Sequence, residues 1–284
     1  MGSRALARKP FLKWVGGKTR LLPKILPHVP EVFRNYHEPF LGGGAMFFAL
    51  QDRVQGRSFL TDLNEDLIAA WTMVQSGESA FADRLAWYAE NDSKEFYYTV
   101  RSSLPTTQVE RAARFVYLNQ TSWNGLWRTN SKTGAMNVPW GARPFRGLSE
   151  ETLENVKASL QSAEITFGDF REACAKVEPG DFVYLDPPYL PVWTNADEKE
   201  PTSKFNKYTS KVFELPALQE LAEICADFTR RDIKWIMSNR DNEAVRSLFP
   251  NAEVIGFTTH RSIGAQSKRA VEAKRSPEAI IIGK

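Results

Sequence analysis

Short apolar stretches rich in Val, Ile, Phe and Tyr recur along this chain, with helix-length patterns between them, and that alternation restricts the fold more than any other feature. The stretches are 36–40, 58–61, 165–167, 181–185, 233–237, 252–257 and 279–282. Continuous apolar runs of this length suit strands buried on both faces of a sheet. Helical spacing fills 43–51, 153–161 and 216–231. Strands joined through helices need crossover connections, so the pattern predicts an α/β fold with a mostly parallel sheet.

One block breaks the alternation. Residues 66–75, 78–90, 94–104 and 107–119 read as consecutive helices, and a polar, aromatic segment follows over 120–147. A chain of 284 residues is enough for one large domain, or for one domain with a substantial insertion. The predicted division is an α/β domain from 1–66 and 150–284, interrupted by a helical insertion over 67–149. The polar stretch 191–207 predicts a mobile loop. Cys174 and Cys225 offer no disulfide framework, and no Cys/His spacing suggests zinc, so no metal is expected. His28, His37 and His260 lack triad or metal spacing and read as structural. No apolar run approaches the ~20 residues of a bilayer span, and 1–10 lacks a signal-peptide core. A reducing cytoplasm is the expected location, with no membrane partner.

Net charge is +3, but its distribution is uneven. Arg4, Arg8, Lys9, Lys13, Lys18, Arg20 and Lys24 precede the first acid. Arg111, Arg114, Arg128, Lys132, Arg143 and Arg146 form a second run without one. Arg261, Lys268, Arg269, Lys274 and Arg275 form a third, diluted by Glu272. Segregated basic stretches suit a phosphate backbone, though solvated faces would look alike.

Three motifs carry chemistry. In Phe182-Val183-Tyr184-Leu185-Asp186-Pro187-Pro188-Tyr189 an apolar strand ends in a carboxylate, two prolines and an aromatic. The prolines fix φ and remove two donors, leaving the Pro187 carbonyl and Asp186 as acceptors beside the Tyr189 ring. Two acceptors and a flat face suit a planar ring bearing an amino group. In Glu38-Pro39-Phe40-Leu41-Gly42-Gly43-Gly44 a strand enters a glycine turn before a helix, which permits close backbone approach to a ligand. Asp62, in Thr61-Asp62-Leu63-Asn64, lies about 20 residues further on, where βαβ units bind ribose hydroxyls. The pattern is not G-x-G-x-x-G, so a nucleoside cofactor without a pyrophosphate fits better than NAD. Phe11-Leu12-Lys13-Trp14-Val15-Gly16-Gly17-Lys18-Thr19 invites a phosphate loop, but Leu12 stands where that motif needs glycine.

Taken in this order, with Leu118-Asn119-Gln120-Thr121-Ser122-Trp123-Asn124-Gly125-Leu126-Trp127-Arg128 and Asn137-Val138-Pro139-Trp140-Gly141 between them, these motifs resemble the Dam family of DNA adenine methyltransferases. Phe205-Asn206-Lys207-Tyr208-Thr209, Met237-Ser238-Asn239 and Arg261-Ser262-Ile263 are similar to the family too, so the likeness spans about 11–284. It implies a Rossmann-like, S-adenosylmethionine-dependent fold with 67–149 as the target-recognition insertion, and S-adenosylhomocysteine as product. It implies that Trp14, Gly16, Gly17, Lys18, Glu38, Pro39, Phe40, Gly42, Gly44, Asp62 and Asn64 line the cofactor, with Lys18 near its carboxylate. Asp169 would accept from the cofactor adenine, with Phe167 or Phe170 against its face. Asp186, Pro187, Pro188 and Tyr189 would grip the target adenine, Asp186 also bordering the cofactor.

The implied chemistry stands on physical grounds as well. An aromatic amine is a poor nucleophile because its lone pair delocalises into the ring. Acceptors at Asp186 and Pro187 draw its protons out of plane and turn the lone pair towards a sulfonium methyl, so positioning and electrostatics carry the transfer. The base must leave the stack of double-stranded DNA. By resemblance Trp123 would wedge into the gap, and Arg128 and Lys13 would read guanines. Leu126 and Pro139 would touch a thymine methyl, and Asn124 and Asn137 belong to the same contact set. The implied target is GATC. Gln120, Thr121 and Ser122 depart from the family's basic, aromatic and small residues, and the 128–137 spacing is one residue longer. A cognate restriction endonuclease encoded nearby is the implied protein partner of a bacterial or phage modification enzyme. The competing readings are cytosine-N4 methylation and a non-catalytic DNA-binding protein of the same fold. Cytosine-C5 chemistry would need a Pro-Cys nucleophile, which neither Cys174 nor Cys225 supplies.

Overall fold

The computed structural model describes residues 9–130, 133–190, 193–195, 198–199, 213–260 and 275–283. After a short helix α1 (Leu22–Ile25), strand β1 (Tyr36–Glu38) passes through a glycine turn into α2 (Ala45–Leu50). Strand β2 (Ser58–Asp62) leads into four consecutive helices, α3 (Glu65–Ser76), α4 (Ser79–Glu90), α5 (Lys94–Ser102) and α6 (Gln108–Thr121). An irregular stretch then reaches α7 (Glu150–Ser159), β3 (Ala163–Phe167), α8 (Phe170–Ala175) and β4 (Phe182–Leu185). A short pair β5 (Trp193–Asn195) and β6 (Glu198–Lys199) precedes α9 (Leu215–Arg230), β7 (Lys234–Arg240), α10 (Glu243–Leu248), β8 (Glu253–His260) and β9 (Arg275–Ile282).

Seven strands form one sheet in the order β3-β2-β1-β4-β7-β9-β8, and β5 and β6 pair antiparallel by themselves. Part of the stretch expected as a loop is therefore a short hairpin. Pairing is parallel from β3 to β7, whereas β9 lies antiparallel between β7 and β8. The expected apolar stretches all lie in this sheet. Strand β7 runs past its apolar segment because Ser238, Asn239 and Arg240 pair with Ile280, Ala279 and Glu278; that pairing is set across the sheet and leaves no local periodicity.

From β1 the chain moves outward through β2 to β3, then returns to β4 on the other side. The carboxyl ends of β1 and β4 thus flank a switch point, where open parallel sheets bind ligands. Side-chain alternation along β4 builds both faces. Phe182 and Tyr184 join a core with Tyr36, Leu60 and Ile236, while Val183 and Leu185 join one with Phe170, Leu221, Cys225 and Met237.

The first of these cores continues into the helical block. Trp71 of α3 is fully buried, as are Phe115, Val116 and Tyr117 of α6, and Ala112 and Ala113 allow close approach. The helices begin at capping side chains: Asn64 accepts from Leu67, Ser93 from Phe96, and Thr107 from Glu110. Each cap is worth about 1 kcal/mol. Among the described residues, 67–149 add no strand to the seven-stranded sheet. The sequence stretches at Phe205–Thr209 and Arg261–Ile263, with Arg4, Arg8, Lys132, Lys268, Arg269 and Lys274, lie outside the described residues.

Candidate active site and nucleic-acid interface

The glycine turn after β1 is held from three sides. Gly42 and Gly44 have φ of +49° and +67°, a region that favours glycine. A Cβ at Gly42 would sit 2.6 Å from the Trp14 indole nitrogen, and one at Gly44 would sit 2.7 Å from the Trp71 ring. The Gly42 carbonyl accepts from Trp71 Nε1 at 3.2 Å, and its N–H donates to Asp62 Oδ2 at 2.9 Å. Asp62 Oδ1 accepts from the Asn64 N–H at 2.9 Å. Burial pushes the Asp62 carboxyl up to about 6, opposed by the N–H groups of Gly42, Asn64 and Leu63. Asn64 caps α3 through its oxygen, while its buried Nδ2 has no hydrogen-bond partner.

At the end of β4, Asp186 is gripped by residues far away in sequence. Lys18 Nζ lies 2.6 Å from Oδ1 and 2.7 Å from Oδ2, and also donates to the Gly16 carbonyl at 2.7 Å. Ser238 of β7 donates to Oδ1 at 2.8 Å, and its hydroxyl is also 3.0 Å from that of Tyr184. Lys18, expected near a cofactor carboxylate, is buried against Asp186. Burial would lower its ammonium pKa, but Asp186, Tyr189 and Glu278 outweigh that and hold it above the ordinary lysine range. The Tyr189 ring lies 5.2 Å from Lys18 Nζ, and burial raises its phenol. Pro187 is buried and Pro188 half-buried beside it. Glu38 is buried too, accepting from Tyr36 at 2.8 Å; burial first, then Asp186 and Asp62, keep its carboxyl well above the usual range.

The remaining expected cofactor residues separate into two groups. Trp14 covers Gly42 and Gly43, and the Trp14 carbonyl receives the Gly17 N–H at 3.1 Å. Pro39 is buried, Phe40 stacks on Phe170 with ring centroids 5.4 Å apart, and Phe170 belongs to the core. Phe167, at the end of β3, is 52% exposed and so is the aromatic face open to a ligand. Asp169 caps α8 through the Arg171 N–H and pairs with the Arg171 guanidinium at 2.9 Å. An acceptor role there requires sharing that carboxylate.

The segment between α6 and α7 is built on the helical block. Trp123 is 42% exposed, and its N–H donates to the Pro139 carbonyl at 2.9 Å. Asn124 has φ +55° and is exposed. Arg128 Nε donates to Asn137 Oδ1 at 2.8 Å, and the Asn137 N–H donates back to the Arg128 carbonyl at 3.0 Å. Pro139 is exposed, whereas Leu126, expected at a thymine methyl, is 8% exposed and packs in the core. Lys13 is exposed and donates to the Gln120 carbonyl; burial of its stem, then Arg143, lowers its pKa. Thr121 and Ser122 are fully buried and bond the carbonyls of Tyr117 and Leu126.

Sequence reasoning missed several residues that hold this arrangement. Buried Asn119 accepts from the Lys13 N–H at 2.9 Å and donates to its carbonyl at 2.6 Å, tying the amino-terminal loop to α6. Ser238 and Trp71 act on Asp186 and Gly42 from elements that no spacing rule connects to them. Among the described residues no group of three or more His, Cys, Asp or Glu is placed to hold a metal, and no helix is long and apolar enough to cross a membrane.

Comparison with known proteins adds an independent finding. Residues 14–263 match the model of the D12 class N6 adenine-specific DNA methyltransferases. The chain is 35% identical to a type II methyltransferase of Methanocaldococcus jannaschii, covering 82% of this chain and 85% of that one. It is 32% identical to a type II methyltransferase of Lactococcus lactis subsp. cremoris (91% and 90% covered) and 31% identical to the DNA adenine methylase of Escherichia coli K12 (90% of each).

Proposed function

The chain belongs to the D12 class N6 adenine-specific DNA methyltransferases, and from that premise we propose how its residues share the work. The enzyme methylates adenine N6 in DNA. We read its methyl donor as S-adenosylmethionine and its target as GATC in duplex DNA, with the adenine turned out of the stack. The α/β part, 1–66 and 150–284, would carry the chemistry, and 67–149 the target recognition.

The crevice suits that cofactor. The Gly42–Gly44 turn carries no side chains of its own and runs against the Trp14 and Trp71 rings, Asp62 offers a carboxylate for ribose hydroxyls, Asn64 Nδ2 is buried without a partner among the described residues, and Phe167 exposes a ring at the same sheet edge. S-adenosylmethionine supplies an electrophilic methyl when bound. The protein's part is to present the amine. A carboxylate offers about four acceptor positions, and Lys18 and Ser238 make three contacts with that of Asp186. The position that remains would take one amine proton, and the Pro187 carbonyl the other. Lys18 and Ser238 fix the carboxylate plane, so little reorganisation is needed at the moment of transfer. Tyr189 would stack on the base.

The observation that carries this reading is the fixed Asp186 carboxylate at the mouth of the switch-point crevice, facing the same edge as the glycine turn. Trp123, Asn124, Arg128, Asn137 and Pro139 line one surface segment, which supports a reading role. Two relatives are named type II methyltransferases, so a cognate endonuclease is the proposed partner. The test is nucleoside mass spectrometry and modified-base sequencing of DNA incubated with enzyme and S-adenosylmethionine. N6-methyladenine within GATC is expected; methylation confined to another motif would overturn the target assignment, and N4-methylcytosine the amine.

A further inference from the structure

The reading segment hangs on one carbonyl. Tyr97 and Arg101, four residues apart on the same face of α5, both donate to the oxygen of Val138, at 2.9 and 3.0 Å. A carbonyl has two lone pairs, so this acceptor is saturated. The Tyr97 hydroxyl also lies 3.4 Å from the Pro139 carbonyl, which itself receives the Trp123 N–H. Tyr97 and Val138 are buried, while Asn137 and Pro139 on either side of Val138 are exposed. Asn137 in turn is bonded twice to Arg128. The carboxyl end of α5 is itself clamped: buried Arg114 donates to the carbonyls of Val100 and Arg101 at 3.0 and 2.6 Å.

These contacts form a continuous path from α6 through α5 to Asn137 and Pro139, and from them to Arg128 and Trp123. Bidentate readout of a base edge is directional, and a reading side chain displaced by about 1 Å loses most of its discrimination. We propose that Tyr97 and Arg101 are positioning residues for sequence reading: by saturating the Val138 carbonyl they place Asn137 and Pro139, and through them Arg128 and Trp123, and so set how strictly the enzyme rejects a wrong base pair. The inference rests on the reading role given to this segment.

The test compares kcat/KM on a duplex carrying the wild-type motif with kcat/KM on duplexes changed at one base pair, at fixed salt. Tyr97→Phe removes the hydroxyl and keeps the ring. Its discrimination ratio is expected to fall about threefold to tenfold, the worth of one net hydrogen bond, with cofactor Kd unchanged. Tyr117→Phe is the comparison: it loses a buried-ring hydroxyl bonded to Asp92, which meets the segment at the Phe145 N–H and not at Val138, and its ratio is expected to equal the wild type's. Should Tyr97→Phe not fold, Arg101→Met decides by the same ratio. A uniform fall on all duplexes would make Tyr97 merely structural and overturn the proposal. Arg128→Ala on the same panel separates the two claims: if it changes selectivity and Tyr97→Phe does not, the reader stands and the positioning role falls.

Discussion

Replacing Asp186 by Ala removes more than an acceptor, because it strands a buried ammonium. The Lys18 side chain is 7% exposed and would retain one hydrogen-bond acceptor among the described residues, the Gly16 carbonyl, beside the Tyr189 ring. Breaking a buried ion pair from one side costs about 3–5 kcal/mol. For 284 residues at roughly 2.1 cal/mol/K each, the unfolding entropy is about 0.6 kcal/mol/K, so Tm should fall by about 5–8 °C. Removing the other partner is milder. Asp186 is 22% exposed and keeps Ser238, so Lys18→Met should cost about 1–3 kcal/mol. The double variant strands neither charge and should be more stable than Asp186→Ala alone. Scanning calorimetry of the four proteins, with methyl transfer followed in parallel, measures both effects. All three variants should lose activity, and Asp186→Ala should lose the most stability. An Asp186→Ala protein melting with the wild type, or a double variant no more stable than it, would falsify the argument that the pair is buried and coupled.

Three further outcomes follow from the geometry. Asp62 ionises near 6, so it is charged at pH 7.5 and protonated below 6; S-adenosylmethionine affinity by calorimetry should fall about fivefold between those limits, the difference between a charged and a neutral hydrogen bond, and Asp62→Asn should flatten the profile. Gly42→Ala places a Cβ 2.6 Å from Trp14 at a φ of +49°, which costs about 1–3 kcal/mol and should weaken cofactor binding at least tenfold; unchanged affinity would mean that Trp14 is not held against the turn. Arg128→Ala should relax selection at one guanine-bearing pair by about 1–3 kcal/mol on the duplex panel, and an equal loss on every duplex would make Arg128 a backbone contact.

Local pattern carried the elements and the motifs well. The apolar runs of β1 to β4 and the glycine turn are short-range facts, as is the Asp186–Tyr189 turn, and chain order alone puts their carboxyl ends on one edge. The pairings were a different matter. Lys18 and Asp186 are 168 residues apart, and Gly-Gly-Lys-Thr gives no hint that its lysine turns to a carboxylate of another strand. Phe167 and Phe170 look equivalent in the sequence, yet β3 ends with the first in solvent while α8 turns the second into the core. Leu126 has neighbours suited to a surface role, and only the packing of α6 shows that its side chain goes inward. Thr121 and Ser122, which the sequence alone would let stand on a reading surface, are buried by the fold.

The placement of β9 sets a condition on synthesis. It is the last of the described strands, yet it lies between β7 and β8, and among the described residues β8 pairs with it alone. Until residues 275–282 have left the ribosome, β8 lacks the partner that joins it to the sheet and β7 lacks its antiparallel neighbour. The cofactor turn, β1, β2 and β4 can assemble early, but the strand carrying Ser238 is covered only when translation has passed Ile282. Shortening the chain before Arg275 would not trim this sheet from its margin; it would open it next to the strand that steadies Asp186.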